Sequence, residues 1–328
     1  MDSPKNDLVT RLHYNHRVAE KLRIGILTTP EASPDKPWVH QDEIAGDEVV
    51  STLLVAGHDV VRLGSVSDLA WRLDELRERI DLVLNLDPGL EAAVFLDWAG
   101  FPATGSPPSV IGLAAHRLAA KLEVERAGVV TPAAVVIPGP HEPGDLGLES
   151  LHYPALVKPL MRRQPGEVSA ACRVEDAGAA RQQARRMVDE GRGPALVETL
   201  VHGVEVQVPI LATPEPKALG VLAVAIEGQP LDGDAILGPD VPEYRLVEPP
   251  SRVDESRVRK AAVQAFTALG LRDYGRIDLR IDADGTPWFL AAHPVPGLER
   301  DGAFGCAAPL GRIAGAIVRA AASRAQRN

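Results

Sequence analysis

The side chains of this sequence that could do chemistry are charged groups set in strand-like surroundings. Arg276 and Asp278 stand two residues apart in "YGRIDLRIDADGTPWFLAAHPVPGLE", and alternation along a strand puts both on one face. "DADG" between two apolar, alternating runs predicts a β-hairpin. Its second arm ends in Ala291, Ala292 and His293, almost nothing ionisable opposite the Arg–Asp pair. Lys158 ends the apolar run "PALVKP", and Glu198 and Glu205 flank His202–Gly203 in "ALVETLVHGVEVQV". A local basic pocket can sit in an acidic protein and hold a phosphorylated small ligand. Each residue also has a plainer reading: a lysine snorkelling from a strand end, glutamates on a solvated strand face, a surface Arg–Asp pair.

The bulk of the sequence limits the partners. The chain has 328 residues, 45% hydrophobic and 24% charged, enough for two or three soluble units. A formal net charge of −10 argues against a nucleic acid or an anionic membrane. Cys172 and Cys306 are the two cysteines, too few and too far apart for a disulfide framework or a cysteine zinc site. The polar first twenty residues lack a signal region, and no apolar run is long enough to span a bilayer, so a cytoplasmic protein is expected.

Three units must position those charges. Residues 1–20 read as a polar tail. Residues 21–105 alternate strand and helix ("LRIGILTT", a helix from about Gln41 to Ala56, "DVVRLG", a helix from about Ser65 to Ile80, "DLVLNL", "LEAAVFLDWAG"), the pattern of a small doubly wound α/β domain. Its binding loops belong near Thr29 and Asn85–Asp87. Residues 106–201 read as α+β: a helix Ser109–Gly128, strands "AAVVIP", "PALVKP" and "EVSAACRV", a helix "DAGAARQQARRMVDEG" and the strand "ALVETLV". Residues 202–328 give antiparallel strands ("VEVQVPILAT", "KALGVLAVAIEG"), a helix capped by Ser251 and Asp254 with a stripe of Val258, Ala262, Phe266 and Leu269, the hairpin, and a closing helix.

The order of these pieces, from "GFPATGSPPSVIGLAAHRLAAKLEVERAG" through Lys158, Glu198, Glu205, Arg276 and Asp278 to "HPVPG", resembles the ATP-grasp superfamily. Within it the sequence resembles the D-alanine–D-alanine ligase-like carboxylate–amine ligases, from about Leu22 to the last helix. The resemblance implies an α/β ATP-grasp fold: a Rossmann-like N-terminal domain and two α+β subdomains with ATP between them. It implies phosphorylation of a substrate carboxylate and attack of an amine on the acyl phosphate, with ATP and magnesium or manganese as cofactors, amino-acid-like substrates, and a homodimer as the common assembly. Residue by residue, Lys158 matches the lysine on the nucleotide phosphates, and Arg117 stands where a phosphate-side lysine is usual, after His116. Glu198 matches the hinge residue near the adenine amino group, Thr199, Leu200 and Val201 supply backbone contacts, and Glu205 accepts the ribose hydroxyls. Arg276, with the N–H of Gly297, matches the groups that stabilise the tetrahedral oxyanion, and Asp278 matches a magnesium ligand. Thr104, Gly105 and Ser106 match the small loop joining the first two domains.

The departures fall on chemistry. Where the family carries a glutamate and an asparagine that ligate magnesium, this chain has Ala291 and His293. An alanine supplies no oxygen, and His293 either ligates a softer metal or merely caps a strand end. The loop after Lys158 offers Arg162 and Arg163 in place of glycines and serines, with Gln164 where a serine contacts substrate and Gly302 where a serine holds the acceptor carboxylate. Glu43 is the nearest counterpart of the glutamate that engages the first amino group, and Tyr244 or Arg245 of the lid. Two functions follow: a ligase whose substrates are not two D-alanines, or a nucleotide-binding descendant that no longer ligates.

Overall fold

The computed structural model describes residues 21–29, 40–139, 147–162, 168–238 and 244–325, with the backbone alone for 40–47. Glu43 falls in that backbone-only stretch, and Arg163, Gln164 and Gly166 lie outside the described residues.

The first sheet is three parallel strands in the order β2-β1-β3: β1 (Arg23–Leu27), β2 (Asp59–Gly64) and β3 (Leu82–Asn85). Strands apolar on both faces need helices on both faces. Ile24, Ile26, Leu82 and Leu84 pack against Val49 and Leu53 of the helix His40–Val55 and Ile313 and Ile317 of the last helix, Leu310–Ala325. On the other side Leu27 and Val83 meet Leu69, Leu76 and Leu96. The single helix expected over 65–80 is two short ones, Val66–Trp71 and Leu73–Arg77, because the Arg72 N–H bonds back to Leu69 and tightens the turn. Ser65 and Asp68 form a capping box on the first.

The helix expected over 109–128 is also two, Pro108–Ala115 and Arg117–Arg126. A non-local cause breaks it. Arg117 N donates to Leu160 O at 3.0 Å and Arg162 N to Ala115 O at 2.9 Å, which draws His116 out of the helix. The imidazole then caps the second helix, its Nδ1 accepting from Ala119 N at 3.1 Å.

The second sheet is antiparallel, β4-β7-β5-β6, built from β4 (Ala134–Ile137), β5 (Ala155–Pro159), β6 (Arg173–Val174) and β7 (Ala195–Thr199). "EVSAACRV" supplies only the two-residue β6 after a 3-10 turn at Ala170–Cys172. Ala155, Val157, Ala195 and Val197 bury against Ala180, Ala184 and Met187 of the helix Ala177–Asp189. Alternation therefore turns Lys158 and Glu198 to the opposite face.

The third sheet runs β11-β10-β8-β13-β14, with β9 beside β8 and β12 beside β10. Its strands are β8 (Val204–Ala212), β9 (Pro216–Ala218), β10 (Leu222–Ile226), β11 (Gln229–Pro230), β12 (Tyr244–Val247), β13 (Tyr274–Ile281) and β14 (Pro287–His293). Val204, Val206, Val208, Ile277, Leu279 and Ile281 share a core with Val258, Ala262, Phe266 and Leu269 of the helix Glu255–Ala268 and its C-cap. That helix is capped by Asp254 alone, which accepts from Ser256 N and Arg257 N; Ser251 lies in the preceding turn. The opposite face carries the polar residues in register: Glu205 opposite Arg280, Gln207 opposite Asp278, Asp278 opposite Ala291 and Arg276 opposite His293. Among the described residues no helix is long and apolar enough to cross a membrane.

The first unit is tied to the start of β13. Gly105 N donates to Asp273 Oδ2 at 2.8 Å, Arg272 Nε to Gly105 O at 2.8 Å, and the fully buried Tyr274 hydroxyl to Asn85 O at 3.0 Å. Arg324, on the last helix, pairs with Asp273 and donates to Ala103 O at 2.7 Å. Asp273 is 3% exposed, so Arg324→Ala strands its charge. Breaking a buried pair from one side costs about 3–5 kcal/mol. Urea unfolding of Arg324→Ala is expected to show a loss of that order, and an unchanged midpoint would contradict the clamp.

Candidate functional site

Two sheet faces confront each other: the Lys158–Glu198 face of the second sheet and the Glu205–Arg276–Asp278 face of the third. Glu198 is 1% exposed, its Oε1 2.5 Å from Lys158 Nζ and its Oε2 2.5 Å from Lys121 Nζ. Burial alone would raise the Glu198 carboxyl, and Lys121 and Lys158 more than reverse that, holding it at about 2. Lys158 is pulled down to about 8, by burial first; Glu198 opposes the shift, while Arg117 and Lys121 add repulsion. Lys121 was not singled out from the sequence. Its signal was there: a lysine four residues after Arg117, between the buried Ala120 and Val124. Lys121 Nζ also reaches Phe289 O on β14 at 3.5 Å, linking the two walls. Arg117 donates from Nε to Pro159 O at 2.9 Å and so stands at the Lys158 end of β5.

Glu198, read from the sequence as the adenine-side hinge residue, turns its carboxylate to the two lysines. Glu198 Oε2 meets the Lys121 ammonium as an ion pair. Glu198 Oε2 and Thr199 Oγ1 are the buried side-chain atoms without a hydrogen-bond partner among the described residues. Buried polar atoms of this kind call for a partner. Thr199 N and Leu200 N are already given to Ala133 O and Pro154 O.

Glu205 is half-buried on β8. Burial pushes its carboxyl up, opposed by Arg280. The Arg280 guanidinium is directed to Gly203 O and Ala235 O, and the Glu205 carboxylate has no hydrogen bond or ion pair among the described residues. The β7–β8 turn crosses the end of β13 so closely that a Cβ at Gly203 would lie 2.0 Å from Ile281 O. The field joins the two walls, since Lys158, Arg276 and Asp278 all act on Glu205.

On the hairpin, Arg276 forks onto Asp278, Nε to Oδ1 at 2.8 Å and Nη2 to Oδ2 at 3.0 Å. The arm opposite is filled by His293, whose Nε2 lies 2.9 Å from Asp278 Oδ2. Arg162 reaches from beyond β5, donating from Nη1 to Ala292 O at 2.9 Å and facing His293 Nδ1 at 3.4 Å. Burial of Asp278 is outweighed by Arg276 and His293, which hold its carboxyl below the usual range. Burial, reinforced by Arg276, drops His293 to about 3.

The donor set can be compared with what magnesium needs, a tight octahedron of oxygens. Both Asp278 oxygens already serve Arg276, one also faces His293, and Ala291 contributes none. Among the described residues no three His, Cys, Asp or Glu side chains converge. In this arrangement Asp278 and His293 do not fit a magnesium ion.

Farther along, the Glu299 carboxylate folds over Gly297 and Gly302: a Cβ at either would lie 1.8 Å or 2.7 Å from a Glu299 oxygen. Tyr244, one of the two lid candidates, feels the charges of Arg276, Asp278, Glu299 and Asp301.

Glu198→Gln leaves Lys121 and Lys158 buried without a counter-charge, and stability at neutral pH should fall by about 3–5 kcal/mol. A carboxyl depressed to about 2 adds stability that is present above its ordinary value of 4.5 and lost as pH drops towards 2. Denaturation followed against pH should therefore show a shallower acid limb in Glu198→Gln than in the wild type; equal limbs and midpoints would contradict the cluster.

The sequence profile described as "D-ala D-ala ligase C-terminus" matches residues 145–308. The D-alanine–D-alanine ligase of Geotalea uraniireducens is 30% identical over 263 residues, 77% of this chain and 80% of that protein. The uncharacterized protein y4sG of Sinorhizobium fredii is 28% identical over 299 residues, 85% of each chain. Among solved structures, the D-alanine–D-alanine ligase of Bacillus anthracis complexed with ATP superposes with a TM-score of 0.73 at 19% identity, covering 93% of this chain and 99% of that one. The VanG D-Ala:D-Ser ligase of Enterococcus faecalis gives 0.69 at 16% identity, covering 92% and 100%. The likeness to the solved structures is one of fold; with the profile and the sequence relatives beside it, the chain belongs to the D-alanine–D-alanine ligase family and has its α/β ATP-grasp fold.

Proposed function

We propose that this chain is an ATP-dependent ligase that joins a carboxylate to an amine and does not use two D-alanines. The observation that carries the reading is the cationic cluster at Glu198. Lys121 and Lys158 outnumber the single buried carboxylate between them, and Arg117 adds a third cation. An anionic ligand completes such a set. Lys158 and Arg117 would grip the phosphates. Thr199 Oγ1 awaits a donor such as the adenine amino group. Of Thr199, Leu200 and Val201, Val201 is the residue whose N–H has no acceptor among the described residues, which suits a ring nitrogen. The Glu205 carboxylate, which has no hydrogen bond or ion pair among the described residues, would accept the ribose hydroxyls.

In the reaction a substrate carboxylate oxygen bonds to the γ-phosphorus and the bridge to ADP breaks. The amine nitrogen then attacks the acyl carbon, loses its proton, and expels phosphate. Arg276, held rigid by its fork onto Asp278, and the Gly297 N–H would meet the oxyanion of the tetrahedral intermediate. Glu299 supports substrates other than two D-alanines. It sets a carboxylate against Gly302, which has no hydroxyl, and a second carboxylate there would be repelled.

One observation favours a second reading, a nucleotide-binding protein that no longer ligates: Asp278 is already taken by Arg276 and His293. ADP release against a panel of carboxylates and amines, with magnesium and with manganese, separates the two. The ligase reading expects turnover with at least one pair and none with D-alanine alone. ATP binding without turnover for any pair would sink it in favour of the second reading.

A further inference from the structure

Where family resemblance leads one to look for oxygen ligands, the chain has built a closed network of its own. Arg276 supplies two parallel N–H bonds to Asp278. The tautomer that satisfies the rest puts a proton on His293 Nε2, donating to Asp278 Oδ2, and leaves Nδ1 to face Arg162. Neither ring nitrogen then has a lone pair to offer an ion. Arg162 is pinned at both ends: its backbone N bonds to Ala115 O, and its Nη1 bonds to Ala292 O across the cleft. Two guanidinium groups, Arg162 and Arg276, flank the Asp278 carboxylate, and Glu205 and Glu299 act on the same cluster. The place of a bound cation is thus occupied by side-chain cations, held by hydrogen bonds rather than by ligation.

We propose that Arg162, beside the Arg276–Asp278–His293 network, takes the place of the protein-held divalent ion, so that this chain binds ATP with the Arg162 guanidinium and without a metal on Asp278. The proposal rests on the nucleotide-binding part of the reading above and goes beyond it by assigning Arg162 a binding role. Guanidinium suits the task, because its planar fork matches phosphate oxygens and it never loses its charge. Arg162 leaves the second sheet at the end that carries Lys158 and reaches the third sheet beside Asp278. A phosphate lying against Lys158 would therefore have the Arg162 charge on its other side.

Calorimetric titration of the full chain with ATP, in excess magnesium and in excess EDTA, tests this. The dissociation constants should agree within about threefold. A loss of about tenfold or more in EDTA would overturn the proposal while leaving the nucleotide reading intact, whereas no binding in either medium would overturn both. Arg162→Gln should weaken binding in EDTA by about tenfold, with circular dichroism reporting whether the fold is kept. Ala291→Glu combined with His293→Asn should restore oxygen donors and make ATP affinity depend on magnesium by about tenfold. Binding by Arg162→Gln equal to wild type would count against the assignment. If that variant fails to fold, the wild-type comparison in EDTA decides alone.

Discussion

A carboxylate removed from water has to be met by charge, and Glu198 is met by two lysines from two different elements. That constraint fixes much else. It docks the helix Arg117–Arg126 onto β5 and β7, because Lys121 must reach Glu198 from one side while Lys158 comes from the neighbouring strand. It ties the second sheet to the third through the Lys121 contact with Phe289 O. It also sets two buried ammonium groups against one carboxylate, in a chain whose formal net charge is −10.

The two walls follow from alternation. Each strand commits one face to a helix-covered core and has the other left for the cleft. β8 and β13 are in register, so Glu205, Gln207, Arg276, Asp278 and Arg280 line up together. The bulge after Asp278 shifts the pairing with β14 but keeps Arg276 opposite His293. The hairpin is thus a scaffold on which a change of two side chains, at 291 and 293, alters the chemistry without touching the packing of Ile277, Leu279 and Phe289.

Much of this was legible in the sequence where local pattern governs. The buried strands, the hairpin turn at "DADG" and the stripe from Val258 to Leu269 are written in period two or period 3.6. The succession of Lys158, Glu198, Glu205, Arg276 and Asp278 pointed to the family. Features set by distant contacts were not legible. Nothing in "LAAHRLAAKLEVE" marks His116 as a helix break, because the break is made by hydrogen bonds to Leu160 and Arg162. The split at Arg72 leaves no mark in the apolar pattern, because one backbone bond to Leu69 O makes it, and the strand before Val174 is shortened by the 3-10 turn at Ala170–Cys172. Lys121 was overlooked because its partner lies far along the chain. The hairpin arm read as empty opposite Asp278, since spacing alone does not reveal that His293 turns inward onto the carboxylate or that Arg162 arrives from another sheet.

The central claim is that a nucleotide lies between the two walls and that arginine and histidine, rather than a metal, hold Asp278. A crystal structure with a non-hydrolysable ATP analogue and manganese, read by anomalous scattering, tests it most directly. The account predicts adenine beside Thr199 to Val201, phosphates against Lys158 and Arg162, an intact Arg276–Asp278–His293 network, and no manganese peak on Asp278. A manganese ion bound to Asp278 with Arg276 displaced, or the analogue seated away from Lys158, would contradict it.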